Sequence, residues 1–227
     1  MATRRRWPYP LDDLRRLADL LERASRRIGR PIYLLSDEPY RRILFDGVRF
    51  HSPAEAYSRT VVTYSYGKQL LAPGMRIGYL TWPPTMPERD RLRDDAFIHQ
   101  LAAGFAFPNA DLQHALAELE TLVIDLDGMQ RRRDRLVGHL RGLGCEATTP
   151  EGTFYVMARS PTPDDEAFAE GLSRHKVLVP PGSIVELPGW LRISLTASDE
   201  MVERGLPRFE MAWREATGQS AVGAPAG

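Results

Sequence analysis

The stretch Thr63-Tyr64-Ser65-Tyr66-Gly67-Lys68-Gln69-Leu70-Leu71-Ala72-Pro73-Gly74-Met75-Arg76-Ile77-Gly78-Tyr79 holds one lysine, a serine three residues before it and an arginine eight after it. A lysine flanked by Leu70 and Leu71 can have its ammonium stripped of water, which frees an amine for Schiff-base chemistry. Ser65 and Arg76 add a hydroxyl and a fixed cation, a pair suited to a phosphate. Taken alone, a Ser-x-x-Lys spacing also arises by chance and reads equally well as a solvated loop. A second segment, Pro31-Ile32-Tyr33-Leu34-Leu35-Ser36-Asp37-Glu38-Pro39-Tyr40, adds a carboxylate and a phenol. Asp37 can pair with a cationic ring nitrogen, and Tyr40 can donate to a phenolate oxygen. The plain alternative is an acidic turn closing a strand, which Pro39 would favour.

These residues need elements to hold them. Val61-Val62-Thr63 predicts a strand from Thr60 to Ser65, and Arg76 to Trp82 predicts another. Pro73-Gly74 marks a turn between them. Lys68 then falls in the loop past a strand's carboxyl end, where α/β sheets place chemistry. Ile32 to Leu35 is apolar without alternation, the pattern of a strand buried on both faces of a parallel sheet.

Upstream, Leu11, Leu14, Leu17, Leu21, Ala24 and Ile28 form one stripe of a helix over residues 11–28, ended by Gly29. Phe45-Asp46-Gly47 reads as a turn. A helix is expected from Glu88 to Gln100, with 101–107 continuing it. Asn109 would cap a long helix striped by Leu112, Leu116, Leu119, Val123, Leu126, Met129, Leu136 and Leu140, which Gly142 and Gly144 stop. Arg131-Arg132-Arg133 is read as its solvated face. Beyond it come a strand at Thr153–Met157, a helix at Asp164–Arg174, and strands at Lys176–Val179 and Leu191–Leu195. A last helix is capped by Ser198, with Asp199 and Glu200 at its positive end. The tail from Gly218 reads as frayed.

Composition narrows the classes. The 227 residues carry 30 basic and 30 acidic side chains, so no net field favours nucleic acid or an anionic membrane. An apolar fraction of 43% suffices for a core. The single cysteine, Cys145, excludes an internal disulfide and fits a reducing, cytoplasmic setting. The five histidines show no metal spacing, no apolar run reaches membrane-spanning length, and the basic start lacks the apolar segment of a secretory signal.

Three motifs in order, Ser36-Asp37-Glu38-Pro39-Tyr40, Ser65-x-x-Lys68 with Arg76, and Trp190-Leu191-Arg192-Ile193-Ser194-Leu195, resemble the class I/II aminotransferases, fold type I enzymes that depend on pyridoxal 5'-phosphate. The resemblance runs from about Leu11 to the last helix. It implies an α/β fold: a mostly parallel sheet with helices in a large domain, and a small C-terminal α+β domain. On that basis residues 1–107 are the remaining part of the cofactor-binding domain, 108–143 a long interdomain helix, 144–217 the small domain and 218–227 a flexible tail. By resemblance Lys68 holds the cofactor as a Schiff base and moves the proton. Asp37 keeps the pyridine nitrogen protonated, Tyr40 bonds the 3-oxygen, and Ser65 and Arg76 hold the phosphate. Arg192 receives the α-carboxylate of the substrate. The implied reaction moves an amino group between an amino acid and a 2-oxo acid, in a homodimer when the family form is complete.

The resemblance has gaps. The family carries an Asn-Pro-x-Gly turn that would fall near Thr3-Arg4-Arg5-Arg6, where no asparagine stands. The expectation is therefore an N-terminally truncated chain, inactive alone, with the Ile32–Ser36 strand left as a sheet edge and prone to association. The alternatives are a degenerate, non-catalytic fragment, or another fold type I activity such as β-elimination.

Overall fold

The computed structural model describes residues 8–105 and 107–219 of the chain. The segment Thr3–Arg6 and the tail from residue 220 onward lie outside the described residues. Two compact units follow one another in sequence, Met1–Ile124 and Asp125–Gly227.

The first unit opens with helix α1, Leu11–Ile28, as the periodicity predicts. Asp12 and Asp13 sit in its first turn and Arg26 and Arg27 in its last, each matching the helix dipole. Gly29 closes it at φ 71°, a left-handed conformation open to glycine. The buried line is Leu14, Ala18 and Ser25, while Leu17 and Ile28 of the expected stripe lie exposed. Ser25 accepts from the backbone of Ile32 at 3.0 Å, and Glu22 pairs with Arg59 at 2.7 Å, fastening the helix to the strands that follow.

Strand β1, Leu34–Asp37, pairs in parallel with β2, Thr60–Ser65, with Leu34 opposite Thr60 and Asp37 opposite Thr63. β2 pairs antiparallel with β3, Gly78–Thr81, with Ser65 opposite Gly78. The sheet order is β1-β2-β3, so this sheet has one parallel and one antiparallel pairing rather than a mostly parallel set. β2 is central and alternates buried Thr60, Val62 and Tyr64 with half-buried partners. Gly78 is required by contact: a Cβ there would lie 2.2 Å from the Tyr64 carbonyl oxygen.

β1 departs from expectation. It starts two residues later than the apolar run and alternates instead of being buried on both faces, with Leu35 67% exposed. The reason is position. β1 lies at the edge, and among the described residues nothing covers the face that Leu35 presents. An edge strand whose one charge, Asp37, stands at its very end, and which exposes Leu35, is a pairing hazard. The chain by itself is therefore expected to self-associate, and Leu35→Lys to reduce that association. Size-exclusion chromatography with light scattering checks this, and a monodisperse monomer for the unsubstituted chain would overturn it.

After β2 comes a single helical turn, α2, Tyr66–Gln69. Pro73-Gly74 makes the expected turn, closed by Met75 N donating to Ala72 O at 2.9 Å. Phe45-Asp46-Gly47 also turns, with Asp46 and Gly47 both at positive φ. Helix α3 spans Arg89–Ala102 and buries none of its residues, and it stops at Ala102 instead of running on to 107.

The single long helix expected from Asn109 is three helices: α4 Ala110–His114, α5 Leu116–Leu119 and α6 Leu126–Gly142. Asn109 does cap the first, accepting from Leu112 N at 3.0 Å. The break has local causes. The Thr121 hydroxyl donates to the Glu118 carbonyl at 2.7 Å, Val123 and Ile124 are stiff β-branched residues, and Asp125 restarts the helix by accepting from Gly128 N at 2.8 Å. The boundary between the two units falls inside the stretch expected to link them.

In the second unit α6 precedes β4 (Tyr155–Arg159), α7 (Asp165–Arg174), β5 (Trp190–Ser194) and α8 (Asp199–Thr217). β4 and β5 pair antiparallel, with Met157 opposite Arg192. Met129, Leu140, Val156, Leu172 and Leu191 form a buried core, with Phe168, Phe209 and Trp213 ringed edge and face against one another. Ser198 caps α8, accepting from Met201 N at 3.2 Å. No strand forms at Lys176–Val179. Lys176 takes φ 62°, Pro180 and Pro181 offer no N–H, and the segment meets β5 through one bridge, Pro181 to Leu191.

The arginine run is not a uniformly solvated face. Arg133 is 2% exposed, with its guanidinium donating to Pro150 O at 2.9 Å and to Asp134 at 2.8 Å. Arg132 donates to Leu195 O at 2.9 Å and pairs with Asp199 at 3.1 Å. Burying these cations is tolerable because each is paired.

Candidate active site

Helical and sheet geometry brings Asp37, Tyr40, Ser65, Lys68 and Arg76 into the first unit's sheet and its carboxyl-end loops. Asp37 ends β1, and its Oδ1 accepts from the Thr63 hydroxyl at 2.7 Å across the parallel pair. One strand thus orients the other's carboxylate. Tyr40 follows half-buried in the turn that leaves β1. Ser65 stands at the N-cap of α2, yet its side chain makes no cap hydrogen bond. Lys68 lies within α2 rather than in an open loop, half-buried, and its ammonium has no partner among the described residues. Arg76 is exposed and donates to Pro73 O at 3.1 Å. The loop from α2 to β3 is drawn shut by Tyr66 N donating to Ile77 O at 3.2 Å, which ties Ser65, Lys68 and Arg76 into one closed segment. Gly67 permits this: a Cβ there would press on the Ala72 and Met75 carbonyl oxygens at 3.3 Å.

Arg192 belongs to the second unit. Its guanidinium lies 4.7 Å from the centre of the Tyr155 ring, and its Nε is buried with no hydrogen-bond partner. A cation stacked on a ring keeps its Nη edge open for a carboxylate.

Other residues of this region escaped the sequence reading. Glu38, next to Asp37, turns inward and is 3% exposed. It accepts from the Ser36 and Ser52 hydroxyls at 2.9 and 2.6 Å, and Arg41 approaches its other oxygen at 3.8 Å. Arg41 lies over the Tyr64 ring at 4.5 Å and donates to the Tyr79 hydroxyl at 2.6 Å. Tyr64, Tyr66, Ile77 and Leu119 form a buried cluster beneath the lysine turn. Strand alternation from Asp37 signals that Glu38 faces the other way, but no spacing announces its partners. Cys145 is no rival nucleophile, since burial pushes its thiol up to about 11. Among the described residues no three of His, Cys, Asp or Glu gather as a metal site, and no helix is long and apolar enough to cross a membrane.

The donor set is one unpartnered amine, one oriented carboxylate, one hydroxyl unused as a cap and one guanidinium, all on the loops at one end of an α/β sheet. The sequence model of the aminotransferase class I and II family matches residues 9–209. The chain is 31% identical over 210 residues to the aspartate/prephenate aminotransferase of Thermus thermophilus, covering 88% of this chain and 51% of that one. It is 34% identical over 186 residues to the LL-diaminopimelate aminotransferase of Dehalococcoides mccartyi, covering 76% and 46%. The crystal structure of an amino transferase from Eubacterium rectale superimposes with a TM-score of 0.85 at 32% identity, over 92% of this chain and 52% of that one. The chain belongs to the aminotransferase class I and II family. It spans about half the length of the curated relatives it matches.

Proposed function

We propose that this chain carries the lysine and cofactor-binding loops of an aminotransferase that uses pyridoxal 5'-phosphate to move an amino group between an amino acid and a 2-oxo acid. The observation that carries the reading is Lys68: an unpartnered, half-buried amine in the turn after β2, beside a strand whose Asp37 is already oriented by Thr63. The residues present suit the group. Pyridoxal phosphate, when bound, supplies an electron sink for the bonds at the substrate's Cα. Lys68 is the amine that would hold it and, once released by the incoming amino group, take the Cα proton at Nζ. Asp37 would accept from the ring N–H and keep that nitrogen protonated. Tyr40 would donate to the 3-oxygen, and Ser65 and Arg76 would bind the phosphate. Arg192 would receive the substrate's α-carboxylate as a fork. A homodimer is proposed for the complete enzyme, by likeness to the family.

The test of the reading exploits composition. The chain has two lysines, Lys68 and Lys176. Incubation with pyridoxal phosphate, borohydride reduction and peptide mass mapping should place the pyridoxyl group on Lys68. A label on Lys176 alone would overturn the assignment. For Arg192, lysine cannot reproduce the planar fork. Arg192→Lys is expected to weaken binding of amino acids and carboxylate inhibitors about 10- to 100-fold, the scale of a lost hydrogen bond to a charged group. Spectral titration with an amino acid reads this directly, and unchanged affinity would argue against the role.

A further inference from the structure

The lysine turn is short, and little of its order comes from its own backbone. α2 has Leu70 N donating to Tyr66 O at 3.0 Å and Leu71 N to Lys68 O at 3.1 Å, after which Leu71 takes φ 51°. One turn of helix is marginal in isolation. The turn is pinned instead by a segment far along the chain. The Tyr66 hydroxyl donates to Oε1 of Glu120. Arg42 donates through Nη2 to Oε2 of the same carboxylate, and through Nη1 to the Glu120 carbonyl at 2.8 Å. Beside this, the Gln69 amide donates to Leu122 O at 3.3 Å, and the Tyr64 hydroxyl donates to Gln69 Oε1.

The placement of the two donors gives Glu120 its meaning. Tyr66 lies on the Lys68 turn itself. Arg42 lies just past Tyr40, on the loop that leaves β1 after Asp37. The two oxygens of one carboxylate are therefore taken by two different loops, one bearing the amine and the other bearing the carboxylate and the phenol. Both arms are durable. Arg42 holds Glu120 at two points, Nη2 on the carboxylate and Nη1 on the backbone carbonyl. Burial, then the hydrogen bond to Glu120, raise the Tyr66 phenol well above its usual range, so it remains a donor. Tyr66 is 3% exposed and packs with Tyr64, Ile77 and Leu119, so its hydroxyl has little room to choose another acceptor.

We propose that Glu120 is a positioning residue that sets the Lys68 turn against the Asp37–Tyr40 loop, with one carboxylate bracketing both. The catalytic meaning of the bracket rests on the reading of Lys68 and Asp37 given above, whereas its existence does not.

Amide hydrogen exchange read by mass spectrometry, without cofactor, tests it on the unsubstituted chain, Glu120→Ala, Glu120→Gln and Tyr66→Phe. In Glu120→Ala the amides of Leu70 and Leu71 should exchange at least about tenfold faster, with β1, β2, β4 and β5 unchanged. Tyr66→Phe keeps the buried ring and loses the donor, so it should shift the same amides less. Glu120→Gln keeps the shape and should fall between. The pyridoxal label, trapped as above, should shift from Lys68 toward Lys176 in the same order. Unchanged protection at Leu70 and Leu71 in both Glu120→Ala and Tyr66→Phe would overturn the proposal. So would loss of protection throughout β1 and β2, because Glu120 would then be a general stabiliser of the unit. If the unsubstituted chain labels only on Lys176, the cofactor reading fails, and the exchange result still decides the bracket.

Discussion

Replacing Lys68 by alanine is expected to lower amino transfer by more than about 10⁴-fold in the active enzyme, since a general base alone is worth about 10²–10⁴ and the anchoring amine goes with it. The argument is geometric before it is chemical. Lys68 has no hydrogen-bond or ion-pair partner among the described residues, so its removal breaks no such bond. The turn around it is held by Tyr66 and Gln69, whose bonds do not involve the lysine side chain. Stability should therefore change little while activity collapses. Thermal unfolding and single-turnover formation of the 2-oxo acid, measured on the same preparation, separate the two effects. Turnover within about tenfold of the unsubstituted enzyme would remove Lys68 from the mechanism.

Asp37→Asn is the second large effect. The change is nearly isosteric, and the Thr63 hydroxyl can still donate to the amide oxygen, so the carboxyl-end geometry of β1 is kept. What is lost is the negative charge that, on the proposed reading, would face the ring nitrogen. Preorganised electrostatic groups of this kind are worth about 10²–10³ in kcat when removed. A loss of more than about 10²-fold in kcat is expected, with the cofactor still bound, because Ser65 and Arg76, the residues proposed to hold its phosphate, are unchanged. Steady-state kinetics with the cofactor content measured by absorbance checks the split. Near-normal turnover would make Asp37 a strand-end residue and no more.

The strands that carry these residues were legible in sequence because they obey local rules. α1 is bounded by charge pattern and Gly29, and β2 by its β-branched run. The carboxylate at the end of β1 and the lysine after β2 follow from strand ends alone. The failures have two causes: those at β1, Arg133 and Glu120 depend on parts of the fold distant in sequence, whereas the helix break depends on local bonds that a hydrophobic stripe hides. Apolar composition does not reveal whether a strand is central or at an edge, and Leu35 of β1 is exposed. After Asn109 the hydrophobic stripe persists across Thr121–Ile124, although hydroxyl and cap bonds break the helix there. Arg133 looked solvated beside its two neighbours, yet a carbonyl seventeen residues away takes it inside. Glu120 carried no signal at all, since Tyr66 and Arg42 lie 54 and 78 residues from it.

The succession of two sequence-contiguous units has a consequence during synthesis. The first unit leaves the ribosome before the second, whose residues take on the order of 5–20 s more at ordinary elongation rates. The first unit's sheet can form in that interval, with its apolar β1 edge already assembled. Nascent chains on neighbouring ribosomes of one message then display the same edge at close quarters. The hazard of strand capture should then grow with the time spent translating the stretch after Ile124. Synonymous codons that slow elongation in that region should lower the soluble yield without changing a single residue.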